Sequence, residues 1–276
     1  MARGSEAQGW REAMDVNSYL RRIDYHGSRE PSPATLRDLH RQHLFTVPFE
    51  NLDIPLGVPI VLDLAKLYAK IVTRHRGGFC YELNALFGAL LRELGFRVHM
   101  LSARVRREDG GFGLEFDHML LRVDLNEPWL VDVGFGDSFV DPIVFRAGGA
   151  EQVNGHRYVV LPREDEWQLL REDAQGQVPL YAFRDLSHAL SEYQRMCEYH
   201  QTSPDSHFTK SWICSRATSD GRITIANMRL IVTRGAKREE TELKREDELR
   251  SCLSDLLGVR LEDSRDLSKL VARASR

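Results

Sequence analysis

The chain has few cysteines, little net charge and no long apolar run. Its four cysteines lie scattered among 276 residues, so a disulfide framework is not expected. No apolar stretch approaches the roughly 20 residues of a membrane-spanning helix. The net charge of −3 gives no reason to expect nucleic acid or an anionic membrane as partner. These features favour a globular protein in a reducing, cytoplasmic setting.

Metal-binding and targeting motifs are also missing. Neither a Cys-x-x-Cys nor a His-Glu-x-x-His pattern occurs. His40 and His43 lie three residues apart on a predicted helix, but no third ligand accompanies them, so we predict surface or capping roles and no metal. Residues 1–13 are of mixed polarity without the apolar core of a secretory signal, which predicts a poorly ordered leader.

The most informative segment present is RGGFCYELN, residues 76–84. Two glycines allow a sharp turn and a close backbone approach. After Cys80, leucines and Phe87 recur at helical spacing until Gly95, so Cys80 is predicted at a helix N-terminus. Unpaired N–H groups and the helix dipole at that position favour a thiolate over a thiol. The alternative is that Cys80 is a small buried hydrophobe.

Two later segments supply a base and a carboxylate. His118 lies near the start of a predicted strand, and Asp132 interrupts the apolar run of the next one. Because a buried carboxylate needs a partner, His118 is the natural one. Cys80, His118 and Asp132 then give a nucleophile, a base and an orienting group. From these residues alone a cysteine protease, a transglutaminase-like cross-linker and an acetyltransferase all remain open, and a non-catalytic binding protein is disfavoured.

The periodicity predicts an α+β fold. Four helices are predicted before Gly95, and a period of two from Phe96 onward predicts strands. A helical linker is expected at 187–198, followed by strands at 208–215, 221–226 and 228–233. Two amphipathic helices end the chain. The charged run 237–248 is predicted to be a solvated connection.

The segments RGGFCYELN, DHMLL and LVDVGFG resemble the three active-site motifs of the arylamine N-acetyltransferases, a family that includes N-hydroxyarylamine O-acetyltransferases. TVPFENL at 46–52 and SPDSHFT at 203–209 resemble further signatures of that family. The resemblance implies a helical bundle (1–95), a central β-barrel with a helical linker (96–200) and a C-terminal α/β lid (201–276). It also implies a core like that of papain-type cysteine proteases.

The resemblance implies that acetyl-CoA acetylates Cys80, and that an arylamine or aryl hydrazine then accepts the acetyl group in a ping-pong reaction. O-acetylation of N-hydroxyarylamines is a further expected activity. The alternative is a cysteine hydrolase or an amide synthase with the same triad. Oligomeric state cannot be read from the sequence.

Binding residues follow from the same motifs. The resemblance implies an acceptor pocket lined by Phe49, Val105, Phe135 and Gly136, and a cofactor path that touches Phe208 and Thr209. For each phenylalanine the alternative is core packing. The resemblance further implies a structural ion pair between Glu50 and Arg76.

Overall fold

The computed structural model describes residues 14–153, 156–173, 176–261 and 263–274. The leader predicted at 1–13 lies outside the described residues. Within them, no helix combines the length and the apolar character needed to cross a membrane.

Short helices with side-chain caps build the N-terminal part. Asp15, Ser32 and Asp63 each accept a backbone N–H of the first helical turn that follows them, because Asp and Ser oxygens satisfy donors without an intrahelical partner. The helices are α1 (Val16–Arg22), α2 (Pro33–Thr46), α3 (Asp53–Leu56), α4 (Leu64–Tyr68), which continues into a π-helical turn (Ala69–Thr73), and α5 (Cys80–Glu93). The four helices predicted from periodicity are α1, α2, α4 and α5.

An eight-stranded antiparallel sheet follows, in the order β5-β4-β3-β2-β9-β8-β7-β6. Its two edge strands, β5 and β6, approach each other closely: a Cβ on Gly149 in β6 would lie 1.9 Å from the carbonyl oxygen of Val144 in β5. The sheet is therefore a nearly closed barrel. Its strands are β2 (Arg97–Val105), β3 (His118–Asp124), β4 (Pro128–Val131), β5 (Ile143–Val144), β6 (Gly149–Val153), β7 (His156–Arg163), β8 (Glu166–Asp173) and β9 (Gly176–His188).

A second antiparallel sheet joins the two ends of the chain. Its order is β1-β10-β11-β12-β13, with β1 (Phe49–Glu50) taken from the N-terminal part. A 3-10 turn (Leu190–Tyr193), α6 (Gln194–Thr202) and α7 (His207–Lys210) lead into this sheet from the barrel. The remaining elements are β10 (Ile213–Thr218), β11 (Gly221–Ala226), β12 (Arg229–Arg234), β13 (Lys237–Glu242), α8 (Glu246–Ser251) with a π-helical turn (Cys252–Leu256), and α9 (Ser264–Ala274).

Two predicted elements are wrong. The strand predicted at 208–215 begins only at Ile213, because Ser206 caps the short helix α7 by accepting the Phe208 N–H. The solvated connection predicted at 237–248 instead forms β13 and the start of α8. Every residue of β13 is exposed, and charged side chains are tolerated there because β13 is an edge strand.

The α+β class predicted from the sequence is confirmed. Helix α5 is buried along most of its length and packs against β2 and β3 of the barrel, which is the arrangement of a papain-like core. The barrel has its own apolar interior, and the C-terminal helices pack on Trp212 and Leu52 in another cluster. The first residue of α5, the first residue of β3 and the turn after β4 meet where α5 contacts the barrel.

Candidate active site

Two glycines bring the N-terminus of α5 against the strand that follows α2. A Cβ on Gly77 would lie 2.0 Å from the Pro48 carbonyl oxygen, so only glycine allows this approach. The Glu50 N–H donates to the Gly78 carbonyl at 2.9 Å. Helix α5 begins two residues later, at Cys80, as the sequence predicts.

Burial governs the chemistry of the Cys80 thiol. The residue is 3 % exposed, and this burial raises the pKa of the Cys80 thiol well above its ordinary value. A hydrogen bond from the Met119 N–H lowers that pKa, while the negative charges of Asp132 and Asp117 raise it further. The helix N-terminus alone therefore does not offset the effect of burial on the pKa of the Cys80 thiol. A base has to take the thiol proton.

His118 and Asp132 form the predicted pair. His118 opens β3, and Asp132 directly follows β4, the neighbouring strand. His118 Nε2 lies 2.7 Å from Asp132 Oδ2, and both side chains are buried. A carboxylate can only accept, so Nε2 carries the proton. This fixes the tautomer and leaves Nδ1 as the basic nitrogen of the ring.

Three further donors hold the Asp132 carboxylate. Its Oδ1 accepts from Asn84 Nδ2 at 2.9 Å and from the Gly134 N–H at 3.0 Å. Its Oδ2 accepts from the Tyr181 hydroxyl at 3.2 Å. Burial alone would raise the pKa of Asp132, but the charge and hydrogen bond of His118 and the Asn84 and Gly134 hydrogen bonds outweigh it. The pKa of Asp132 therefore lies below its usual value, and the carboxylate stays ionised.

Asn84 connects the three parts of the site and is not among the site residues predicted from the sequence. Its amide donates to the Met119 carbonyl at 2.6 Å and accepts from the Val133 N–H at 3.0 Å. It lies one helical turn after Cys80, on the same face of α5. A buried amide on an otherwise apolar helix face was the signal that could have revealed it.

Three residues predicted for the acceptor pocket lie together beside His118. The half-buried Phe135 ring lies 5.3 Å from the His118 ring and 5.2 Å from the Tyr181 ring, centroid to centroid. A Cβ on Gly136 would lie 3.6 Å from the Phe49 ring. Gly136 has a φ of +95°, a conformation that favours glycine.

Val105 lies at the edge of the same region. It is half-buried and faces Tyr181 in the β2–β9 register. Its N–H donates to Asp117 Oδ2 at 3.3 Å. The other carboxylate oxygen of Asp117 lies 3.2 Å from His200 Nε2, so this acidic side chain is held by the protein.

The two residues predicted for the cofactor path differ in their surroundings. Phe208 is half-buried, and its ring centroid lies 5.8 Å from that of Phe79, which directly precedes Cys80. The Thr209 hydroxyl lies 2.8 Å from the Ser203 carbonyl oxygen and 2.9 Å from the Ser206 carbonyl oxygen. Its single proton is used within this turn, so the predicted contact of Thr209 with a cofactor stays a prediction.

A buried charge network supports the N-terminus of α5. The predicted Glu50–Arg76 pair is present, with Arg76 Nε 3.0 Å from Glu50 Oε1, and Arg76 also binds Asp53 at 2.9 Å. Lys70 Nζ lies 2.7 Å from Asp53 and 2.8 Å from Glu82. Burial raises the pKa of Glu82 to about 7, although Lys70 opposes the shift.

The roles predicted for His40 and His43 are wrong. Both side chains are fully buried, because this face of α2 packs against α5 and the turn after β4. His40 Nδ1 lies 2.6 Å from the Val140 carbonyl oxygen, and His40 Nε2 lies 3.2 Å from the Asp132 backbone nitrogen. No group of three or more His, Cys, Asp or Glu side chains in the described part of the chain could hold a metal.

A nucleophilic thiol beside an oriented imidazole can form a covalent acyl intermediate. Comparisons with known proteins narrow the choice among acyl-handling families. A family model described as N-acetyltransferase matches residues 33–266. The arylamine N-acetyltransferase of Mycolicibacterium smegmatis is 33% identical over 270 residues, which cover 94% of this chain and 98% of that protein.

Two further similarities agree. The arylamine N-acetyltransferase / N-hydroxyarylamine O-acetyltransferase of Salmonella typhimurium is 32% identical over 216 residues, which cover 77% of this chain and 76% of that protein. The structure of Mycobacterium marinum arylamine N-acetyltransferase in complex with CoA superposes with a TM-score of 0.87 at 32% identity, over 94% of this chain and 98% of that one. Motifs, fold and site geometry thus agree with the comparisons, and this chain belongs to the arylamine N-acetyltransferase family.

Proposed function

We propose that this protein transfers the acetyl group of acetyl-CoA, through a thioester on Cys80, to the nitrogen of arylamines and aryl hydrazines. Transfer to the oxygen of N-hydroxyarylamines is part of the proposal, because the Salmonella relative is named for both reactions. The observation that carries the proposal is the Cys80, His118 and Asp132 constellation on the family's fold, with Asp132 2.7 Å from His118.

In the first half-reaction His118 Nδ1 takes the Cys80 proton. The thiolate sulfur then attacks the acetyl carbonyl carbon, and the bond between that carbon and the CoA sulfur breaks. The CoA sulfur leaves with the proton from His118. This base is needed because burial keeps the pKa of the Cys80 thiol high. Asp132, with its lowered pKa, stabilises the imidazolium that forms in between.

The second half-reaction uses the same groups in the opposite direction. The amine nitrogen attacks the thioester carbonyl carbon, and His118 Nδ1 accepts a proton from the nitrogen. The bond between Cys80 sulfur and the acetyl carbon breaks, and His118 returns the proton to the sulfur. In both halves the backbone N–H of Cys80, in the first turn of α5, is the expected donor to the oxyanion.

Substrate contacts are proposed from the surroundings of the triad. Phe135, Phe49 and Gly136 would bind the aromatic ring of the acceptor, with Val105 at the edge of the pocket. Phe135 is half-buried beside His118 and offers a ring face or edge for offset stacking. Half-buried Phe208 would pack against the CoA moiety. The hydroxyl oxygen of Thr209, whose proton is donated to backbone carbonyls, would accept a hydrogen bond from CoA.

We further propose that the protein works in the cytoplasm on small molecules alone, without nucleic acid or membrane. A small net charge supports this part of the proposal. All four cysteines are free, which suits a reducing compartment.

Intact mass spectrometry after brief exposure to acetyl-CoA, without an amine, tests the proposed function. We expect one acetyl group per chain, which an added arylamine or hydrazine removes as its N-acetyl product. The adduct should be absent in Cys80→Ala. Cys252→Ala is the matched control and should keep the adduct, because Cys252 is partly exposed but lies on a C-terminal helix.

Two outcomes would contradict the proposal. Lack of an adduct on a Cys80 that iodoacetamide still alkylates would favour the cysteine hydrolase or amide synthase alternative, with another acyl donor. An adduct that survives Cys80→Ala and disappears in Cys252→Ala would place the acyl group on the wrong cysteine.

A further inference from the structure

His40 connects α2 to both ends of the segment 132–140. The segment follows β4 and carries Phe135 and Gly136. At its first residue, the Asp132 backbone nitrogen lies 3.2 Å from His40 Nε2. At its last residue, the Val140 carbonyl oxygen lies 2.6 Å from His40 Nδ1. One fully buried imidazole therefore bridges the two ends of the segment.

Both contacts require the same form of the His40 ring. A carbonyl oxygen only accepts, so Nδ1 carries the hydrogen, and a backbone amide only donates, so Nε2 carries the lone pair. This is the neutral Nδ1–H tautomer. Burial lowers the pKa of His40 below its usual value, against the opposing hydrogen bond of Val140 and the charges of Asp132 and Asp141. The neutral ring is thus the stable one.

The same helix also holds the residue that follows the segment. Arg41 binds Asp141 through two guanidinium nitrogens, and Arg37 Nε lies 3.3 Å from Asp141 Oδ2. Within the segment, the buried Phe139 ring stacks on the His40 ring at 5.7 Å with an interplanar angle of 7°. Helix α2 therefore fixes where the segment begins and ends.

We propose that His40 is a positioning residue, which holds the backbone of Asp132 in the place where its carboxylate meets His118 and Phe135 borders the acceptor path. His40 itself contacts no reacting group. The inference rests on the proposed catalytic role of Asp132. It predicts that loss of the His40 contacts changes the pairing of Asp132 with His118 as well as the stability of the fold.

Substitutions at His40 and His43 provide a matched test. His40→Leu removes both hydrogen bonds and keeps an apolar side chain. His43→Leu is the control, because His43 is equally buried on α2 and also packs on Phe87, while neither of its ring nitrogens has a hydrogen-bond partner among the described residues. His40→Gln keeps an acceptor near the position of Nε2, and His40→Asn keeps a donor near that of Nδ1.

Three quantities are measured for each variant: the melting temperature, the single-turnover rate of Cys80 acetylation by acetyl-CoA, and the pH dependence of Cys80 alkylation by iodoacetamide. We expect His40→Leu to slow acetylation by roughly tenfold to hundredfold, because a small misplacement of a reacting group has a cost of this size. The alkylation profile should move toward higher pH by about one unit, since a displaced Asp132 stabilises the imidazolium less well.

The polar variants keep the test decisive if His40→Leu fails to fold. His40→Gln should retain more of the acetylation rate than His40→Asn, because it preserves the contact with Asp132. His43→Leu should keep the wild-type alkylation profile. A His40 variant that melts at lower temperature but keeps the wild-type profile and rate would overturn the positioning role.

The readouts also separate this inference from the proposed function. In one case the wild-type chain does not react with acetyl-CoA, while the pH profile of Cys80 alkylation is shifted in the His40 variants and unchanged in His43→Leu. The proposed acyl donor is then wrong and the positioning role of His40 stands. If the wild-type chain is acetylated and His40→Gln, His40→Asn and His43→Leu all behave alike, the positioning role is wrong.

Discussion

Arg76 makes two ion-pair contacts in a buried environment. Its side chain is 13% exposed and lies within 3.0 Å of both Glu50 and Asp53. After Arg76→Ala, Lys70 would be the one cation among the described residues within 4.0 Å of these carboxylates. Removal of one partner from a buried ion pair costs about 3–5 kcal/mol. We therefore expect Arg76→Ala to give insoluble protein, or a free energy of unfolding that is lower by this amount in urea titrations.

Arg74→Ala is the control for this substitution. Arg74 is exposed and lies two residues away, so we expect its removal to change the free energy of unfolding by less than about 0.5 kcal/mol. A folded Arg76→Ala protein with wild-type stability and no activity would contradict the structural role, and would point to a role of Arg76 in the reaction.

Glu82 predicts a pH dependence of stability. Its pKa is raised from 4.5 to about 7 by burial, with Glu50 and Asp53 acting in the same direction against Lys70. Because the folded state binds this proton more tightly than the unfolded chain, the contribution to stability is complete below about pH 4.5 and is lost as the pH rises through about 7. At about 1.4 kcal/mol per pKa unit, the loss is on the order of 3 kcal/mol.

Comparison with Glu82→Gln isolates this effect from the other titrating groups. Gln cannot ionise but can still accept the Phe79 N–H that Glu82 Oε2 accepts in the structure. The difference in urea midpoint between wild type and Glu82→Gln should change between about pH 5 and about pH 8. The midpoint of the wild type should fall relative to that of Glu82→Gln as the pH rises. Parallel midpoint curves would show that the pKa of Glu82 is not raised.

The sequence predicts the site residues that belong to motifs and misses those that support them. Cys80, His118 and Asp132 each belong to a recognisable local motif. Tyr181 and His40 come from distant parts of the chain, and only the β2–β9 pairing and the packing of α2 bring them to Asp132. A buried histidine and a surface histidine look alike on an amphipathic helix, so their tertiary partners cannot be read from helical spacing.

The packing of α5 against the 132–140 segment allows a test with two glycine substitutions. A Cβ on Gly134 would lie 2.8 Å from Cys80 Cα and 2.7 Å from Asn84 Nδ2, so the segment or the helix has to shift. We expect Gly134→Ala to reduce the rate of Cys80 acetylation by roughly hundredfold, because the shift separates Asp132 from its partners.

Gly88→Ala, on the helix α5 against which Gly134 packs, is the matched control. Its Cβ would lie 3.4 Å from the ends of the Leu121 side chain, which is ordinary contact with atoms that can move. Alanine stabilises a helix interior by up to about 1 kcal/mol over glycine, so a neutral or slightly higher melting temperature and unchanged acetylation are expected. Equal activity of the two variants would contradict the close packing of Gly134 on Cys80.

At the level of elements, capped helices and alternating strands are predictable because their signals are local. Asp15 and Asp63 cap α1 and α4, and a cap residue just before an amphipathic run is visible in the sequence itself. Strand β13 is not predictable in this way, since five of the six residues of Lys237–Glu242 are charged and the segment becomes a strand only by pairing with β12. The short strand β1 likewise needs its distant partner β10.

The three regions predicted from the family resemblance are connected by more than their linkers. Strand β1 comes from the helical region, yet Phe49 and Glu50 pair with Ser215 and Cys214 of β10. Leu52, which follows β1, is fully buried in the cluster of the C-terminal region. The C-terminal region therefore completes the sheet that begins beside the active-site glycines.

This connection predicts that a chain ending at residue 200 does not reach a stable fold. Without β10, the backbone groups of β1 lose their partners, and Leu52 and the Glu50–Arg76 pair lose their cover. We expect the 1–200 fragment to unfold without a cooperative transition, as followed by far-ultraviolet circular dichroism in urea. Co-production with the 201–276 fragment should restore a cooperative transition and Cys80 acetylation. A cooperatively folded 1–200 fragment would show instead that the first two regions fold independently of the third.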